Sequence, residues 1–143
     1  MNTPANPTVL AELRQTLVQT QKSLAAAYLA QPDPKAYLSG RSALVDRTLT
    51  AMWAEAGMPP GSALIAVGGY GRGKLFPYSD VDILLLIEDH NEDLHDQVTR
   101  FISALWDIGL EVGHSLRTLS ESLEEAAKDL TVLTNLIESR VIV

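Results

Sequence analysis

The chain has 143 residues, enough for one ordinary domain with its own core, and its 46% apolar and 20% charged residues mark a folded protein, not a disordered one. A formal charge of -7 argues against a non-specific nucleic-acid binder, which needs a basic face to replace phosphate counterions, though not against a nucleotide ligand held through a local cation. Cysteine is absent, which excludes disulfides, thiol catalysis and cysteine-type zinc sites.

The opening MNTPANPTVL has neither the basic start nor the apolar centre of a signal peptide, and the longest apolar run, Ile83 to Ile87, is far too short to span a bilayer. The expectation is therefore a cytoplasmic protein with no membrane partner. From Pro7 to Ala30 the residues Val9, Leu10, Leu13, Leu17, Leu24 and Tyr28 recur at helical spacing, until QPDP (31–34) ends the helix. A second helix is predicted from about Lys35 to Ala56, with Leu38, Leu44, Val45, Leu49 and Trp53 on its apolar side. GMPPG (57–61) stops it and divides the chain into a helical segment, 1–60, and a core, 61–143. Both helices read as a packing layer or an oligomer contact.

ALIAVGG (63–69) is a short apolar run bounded by turn residues and suits a buried strand. YGRGKLFPYS follows as a turn whose helical content Pro77 limits, and VDILLLIE (81–88) reads as a second buried strand. Asp93 to Ile108 has helical spacing, GLEVGHSLRT (109–118) reads as a third strand, Ser120 to Lys128 as a polar helix, and Leu130 to Glu138 as another. The terminal RVIV reads as a strand cut from a longer protein.

Four glycines within 68–73 need a reason, because glycine weakens regular structure. Asp80 and Asp82 flank Val81 at the start of an apolar strand, so both carboxylates face one side with α-carbons roughly 7 Å apart. Paired acids there are costly unless something positive compensates them, and a divalent metal is the economical partner. A lone D-x-D would read as a solvated strand end. Here Gly68 and Gly69 leave the preceding strand where the backbone can approach a phosphate, Ser79 adds a hydroxyl, and Arg72 and Lys74 supply cations. Together these point to a phosphate–metal site.

VGGYGRG…YSDVDILLL resembles the nucleotidyltransferase signature of the DNA polymerase beta superfamily. More narrowly, GGYGRG-x-L-x-PYSD-x-D, with W-D-x-G-L-E-V-G-H-S-x-R-T and D-L-T-x-x-T-x-L-x-E-x-R after it, resembles the bifunctional PII uridylyltransferase/uridylyl-removing enzyme family, from about Leu64 to the C-terminus. The resemblance implies an α+β, polymerase-beta-like nucleotidyltransferase fold: a small mixed sheet with helices, preceded by a helical layer. It implies transfer of UMP from UTP to a tyrosine of the PII nitrogen-signalling protein, with pyrophosphate leaving. Asp80 and Asp82 would hold Mg²⁺ or Mn²⁺; Gly68, Gly69 and Ser79 would bind the triphosphate. Arg72 would contact phosphate or buttress the turn, with Lys74 as a second phosphate-side cation. The superfamily usually carries a third carboxylate on the next strand, where Glu111 is the only acid; it is the candidate, against a reading as an exposed strand-end acid, with Glu138 as the fallback. His114 and Arg117 flank Glu111, and a strand histidine is more often structural than catalytic.

The family's hydrolytic HD and glutamine-sensing ACT modules have no counterpart here, so removal activity and glutamine regulation are not expected, and whether the chain alone transfers UMP stays open. Two other readings share the core: a stand-alone nucleotidyltransferase on another acceptor, and a nucleotide-sensing domain without turnover. GGYGRGK nearly fits a P-loop, but Leu75 stands where a Ser or Thr is needed and Pro77 interrupts the helix that should follow. The dinucleotide G-x-G-x-x-G pattern fails on spacing. His95-Asp96 echoes an HD metal doublet but sits on a predicted exposed helix without distant partners, and reads as a solvated face.

Overall fold

The computed structural model describes residues 5–143. Asn6 caps the first helix by accepting from the Thr8 N–H, and Pro7 begins α1 (Pro7–Ala30), where its missing N–H costs nothing. Asp33 and Pro34 repeat that start for α2 (Pro34–Ala56), which ends at Gly57 in the left-handed conformation. The Asn6 N–H donates to Glu55, tying the start of α1 to the end of α2, so the two run antiparallel. Their expected bounds hold to within one residue.

β1 (Ala63–Ala66) pairs antiparallel with β2 (Val81–Ile87), which pairs in parallel with β3 (Val112–Thr118); β4 (Arg140–Val141) pairs antiparallel with the outer edge of β1. The order is β3-β2-β1-β4, the small mixed sheet expected of the fold. Between β1 and β2 lies a single helical turn, α3 (Gly68–Gly71). α4 (Glu92–Asp107) makes the parallel crossover from β2 to β3, with Asn91 capping it. α5 (Leu119–Lys128) starts on a capping box between Thr118 and Glu121, and α6 (Leu130–Ile137) leads into β4.

Two bounds differ from expectation by three residues. β1 ends at Ala66, not Gly69, because Gly68 takes φ 62° and turns the chain into α3. β3 begins at Val112, not Gly109, because Gly109 (φ 99°) and Leu110 donate back to Trp106 and Leu105 and complete the end of α4.

Strand alternation sends Leu64, Ala66, Val81, Ile83, Leu85 and Ile87 to one face of the sheet, where they join one buried cluster with α2 and α4. Trp53 of α2 meets Phe101 of α4 edge-on, ring centroids 5.6 Å apart. The cluster runs without a break from Leu17 in α1 to Val112 in β3, across the sequence boundary at residue 60. Asp82, Gly113 and Arg117 belong to the opposite face. Among the described residues, no helix is long and apolar enough to cross a membrane.

Candidate nucleotide and metal site

The site grows from the register of β2 on β3. Asp82 stands directly opposite Gly113, and a Cβ at that glycine would lie 2.7 Å from Asp82 Oδ1. From the other side, a Cβ on Gly68 would lie 3.2 Å from Asp82 Oδ2. The carboxylate is thus seated between two positions where a side chain would press on it. The Val67 N–H donates to the Asp82 carbonyl and fixes the turn against the strand.

The glycines of the turn differ in what requires them. Gly68 has a positive φ, whereas a Cβ on Gly71 would come within 2.8 Å of the carbonyl oxygens of both Ala66 and Glu138. Gly69 has neither reason: its nearest neighbours, the Lys74 carbonyl and the Arg72 guanidinium, would lie at ordinary contact distances of 3.5 and 3.6 Å. α3 is so short that the N–H groups of its first residues have no acceptor within it.

A cleft of about 360 Å³ opens on this face, lined by Gly69, Tyr70, Arg72, Lys74, Phe76, Ser79, Asp80 and Asp82. Of the residues singled out in sequence, Gly69, Arg72, Lys74, Ser79, Asp80 and Asp82 meet at this cleft, with Gly68 against Asp82 at its edge. Partial burial, and then the neighbouring charge of Asp80, push the Asp82 carboxyl above the usual carboxylate range. Two acids that raise each other's cost beside exposed cations suit a hard divalent ion, which commonly takes one or two carboxylates and completes its shell with phosphate and water.

Glu111 does not line this cleft. Its carbonyl accepts from the Val81 N–H at 2.9 Å, but its side chain is exposed and lines a separate cavity of about 170 Å³ with Tyr78 and Val81; Ser79 borders both spaces. Glu138 meets a cleft residue. It pairs with Arg72 Nη1 at 2.5 Å, beside the guanidinium nitrogen that faces Gly69. Among the described residues, no three acids or histidines converge as a metal-holding group. His114 is exposed on β3. His95 bonds to His90, which bonds to Glu121, in an exposed network that links α4's first turn to α5.

Two features escaped the sequence reading. Gly113 was visible as a lone glycine inside a strand pattern, a usual sign of close approach. The second is a cluster below the turn, where Asp46 of α2 accepts from both Tyr70 and Arg140. Burial first, and then the Asp46 carboxylate, drive the Tyr70 hydroxyl far above the ordinary tyrosine range, so it stays a donor.

A family model described as the nucleotidyltransferase domain matches residues 53–138. The chain is 54% identical over 130 residues to the bifunctional uridylyltransferase/uridylyl-removing enzyme of Chromobacterium violaceum, an alignment covering 90% of this chain and 15% of that protein. It is 44% identical over 149 residues to the protein so named in Aromatoleum aromaticum, covering 99% and 17%. For Thiobacillus denitrificans the figures are 47% over 131 residues, 91% and 15%. The chain therefore spans less than a fifth of the length of these relatives. Because the matched span runs from the end of α2 to the end of α6 and takes in the glycine turn with both acids, the chain belongs to the nucleotidyltransferase-domain family.

Proposed function

We propose that this chain performs the nucleotidyl-transfer half-reaction of a PII uridylyltransferase, moving UMP from UTP to a tyrosine hydroxyl of PII and releasing pyrophosphate. The observation that carries the reading is the seat of Asp82, held between Gly68 and Gly113 beside Asp80 and facing a cleft edged by Arg72 and Lys74. Gly69 adds to it, because nothing inside the protein requires a glycine there, whereas a phosphate approaching the backbone would. The relatives' names as uridylyltransferases support the uridylyl group as the one transferred.

Asp80 and Asp82 would hold Mg²⁺ or Mn²⁺, which would supply positive charge to offset that of the reacting phosphates. The turn's backbone N–H groups and Ser79 bind phosphate oxygens, and Arg72 and Lys74 balance the charge of the departing pyrophosphate. Arg72 would exchange Glu138 for phosphate or keep both. An acceptor tyrosine, with a pKa near ~10, is a poor nucleophile until its proton is removed. Loss of that proton to a carboxylate or water accompanies formation of the O–P bond and cleavage of the bond to pyrophosphate. A cytoplasmic setting accords with the nucleotide and the PII partner.

Incubation with labelled UTP, Mg²⁺ and PII should label a PII tyrosine. Asp80→Asn and Asp82→Asn should each lower that labelling by a hundredfold or more with an unchanged circular-dichroism spectrum; full turnover in either variant refutes the metal assignment. The absence of Glu111 from the cleft lining favours one second reading, a domain that binds nucleotide without turnover. Metal-dependent UTP binding with no label on PII or any other acceptor would select it.

A further inference from the structure

The N-terminal helices carry more than apolar packing. At the middle of α2, Asp46 collects three bonds: Tyr70 Oη donates to Oδ1 at 2.5 Å, and Arg140 donates through Nη1 to Oδ2 at 2.7 Å and through Nη2 to Oδ1 at 3.1 Å. Arg140 Nη2 also donates to the Tyr70 carbonyl at 3.2 Å, and its guanidinium lies 5.3 Å from the Tyr70 ring centroid. Tyr70 is only 1% exposed and sits in the chain between Gly69 and Arg72, both of which line the cleft. One turn before Asp46, Arg41 Nε donates to the Leu75 carbonyl at 3.1 Å, so α2 grips the segment again beyond its last glycine.

We infer that Asp46 is a positioning residue for the glycine turn: its carboxylate, braced by Arg140, clamps Tyr70 and so sets where Gly69 and Arg72 meet a triphosphate. It touches no reacting atom. A plain packing role would need neither the two-pronged arginine contact nor the hydroxyl bond, since Tyr70 is already enclosed by apolar neighbours. Both oxygens of Asp46 are used, so the clamp fixes orientation as well as distance. The inference rests on the nucleotidyl-transfer reading, because the turn it positions is the one assigned to phosphate.

The test compares wild type, Asp46→Ala, Tyr70→Phe and, as a core control remote from the cleft, Val98→Ala. Two quantities are read: amide hydrogen exchange, and affinity for UTP with Mg²⁺. The clamp predicts that Asp46→Ala speeds exchange at residues 71–74 while Leu84 and Leu85 stay protected. It also predicts UTP binding weakened at least tenfold, a smaller loss in Tyr70→Phe, and a double variant no worse than Asp46→Ala. Val98→Ala, though it lowers the melting temperature, should bind within twofold of wild type. Wild-type affinity in Asp46→Ala overturns the inference, as does an equal loss in Val98→Ala. If Asp46→Ala fails to fold, Tyr70→Phe decides by the same two readouts. Wild type that binds no UTP sinks the functional reading instead, and the exchange pattern then still decides whether Asp46 holds the turn.

Discussion

The glycine turn and the α5–α6 arm spend their side chains in opposite ways. In residues 68–73 most of the side chains are a single hydrogen, yet at Gly71 the space is already full: a methyl group there would strike two backbone carbonyls. In α5 and α6 the largest apolar side chains are out in solvent: Leu119, Leu123, Leu130 and Ile137 are 61–76% exposed, and no residue of α6 is buried. Side-chain size therefore says little about which positions carry the structure. What counts is whether the surroundings can move, and carbonyl groups pinned in β1 and at the end of α6 cannot, whereas solvent can.

That contrast is sharpened by graded substitutions. Gly71→Ala adds one methyl group and should cost about 1–3 kcal/mol or more, since backbone must shift to admit it; a denaturant midpoint equal to wild type would break the contrast. Gly113→Ala meets the end of a side chain instead, so Asp82 can swing aside. Stability should change little, while affinity for UTP with Mg²⁺ should fall about tenfold, or ~1.4 kcal/mol; calorimetric titration separates the two.

Smaller still is a pH effect at Asp82. Its folded-state pKa is raised, so the native protein binds the proton more tightly than the unfolded chain does. Stability is then lost as pH climbs from the ordinary aspartate range through the raised value, and stays level above it. Asp82→Asn should remove that decline and melt slightly higher than wild type at neutral pH without metal. A melting temperature that falls in Asp82→Asn would contradict the sign. At the bottom of the scale, Ile137→Ala deletes most of an exposed side chain and should change stability by no more than about 0.5 kcal/mol, measured by the same denaturant titration as Gly71→Ala.

Much of this was legible in the chain. Helix starts at Pro7 and Pro34 are written in local capping chemistry, and the two-residue spacing of Asp80 and Asp82 put both acids on one face of the strand. The cleft residues were legible for the same reason: 68–82 is one short loop, and proximity in sequence enforces proximity in space. Glu111 was harder, because β3 starts one residue later and only the carbonyl of Glu111 joins the ladder. Asp46 and Arg140 were illegible: 94 residues separate them, and a lone acid on a helix gives no local sign of its partner.

That span has a consequence for the order of events during folding. The corner expected to greet phosphate has its Arg140 brace and its wall at Glu138 supplied by residues near the far end of the sequence, whereas the hydrophobic cluster is largely complete by residue 112. Contacts between distant positions close slowly relative to local ones. A nascent molecule should therefore acquire this core before its grip on nucleotide, so ligand competence would report synthesis past Arg140 more faithfully than compactness does.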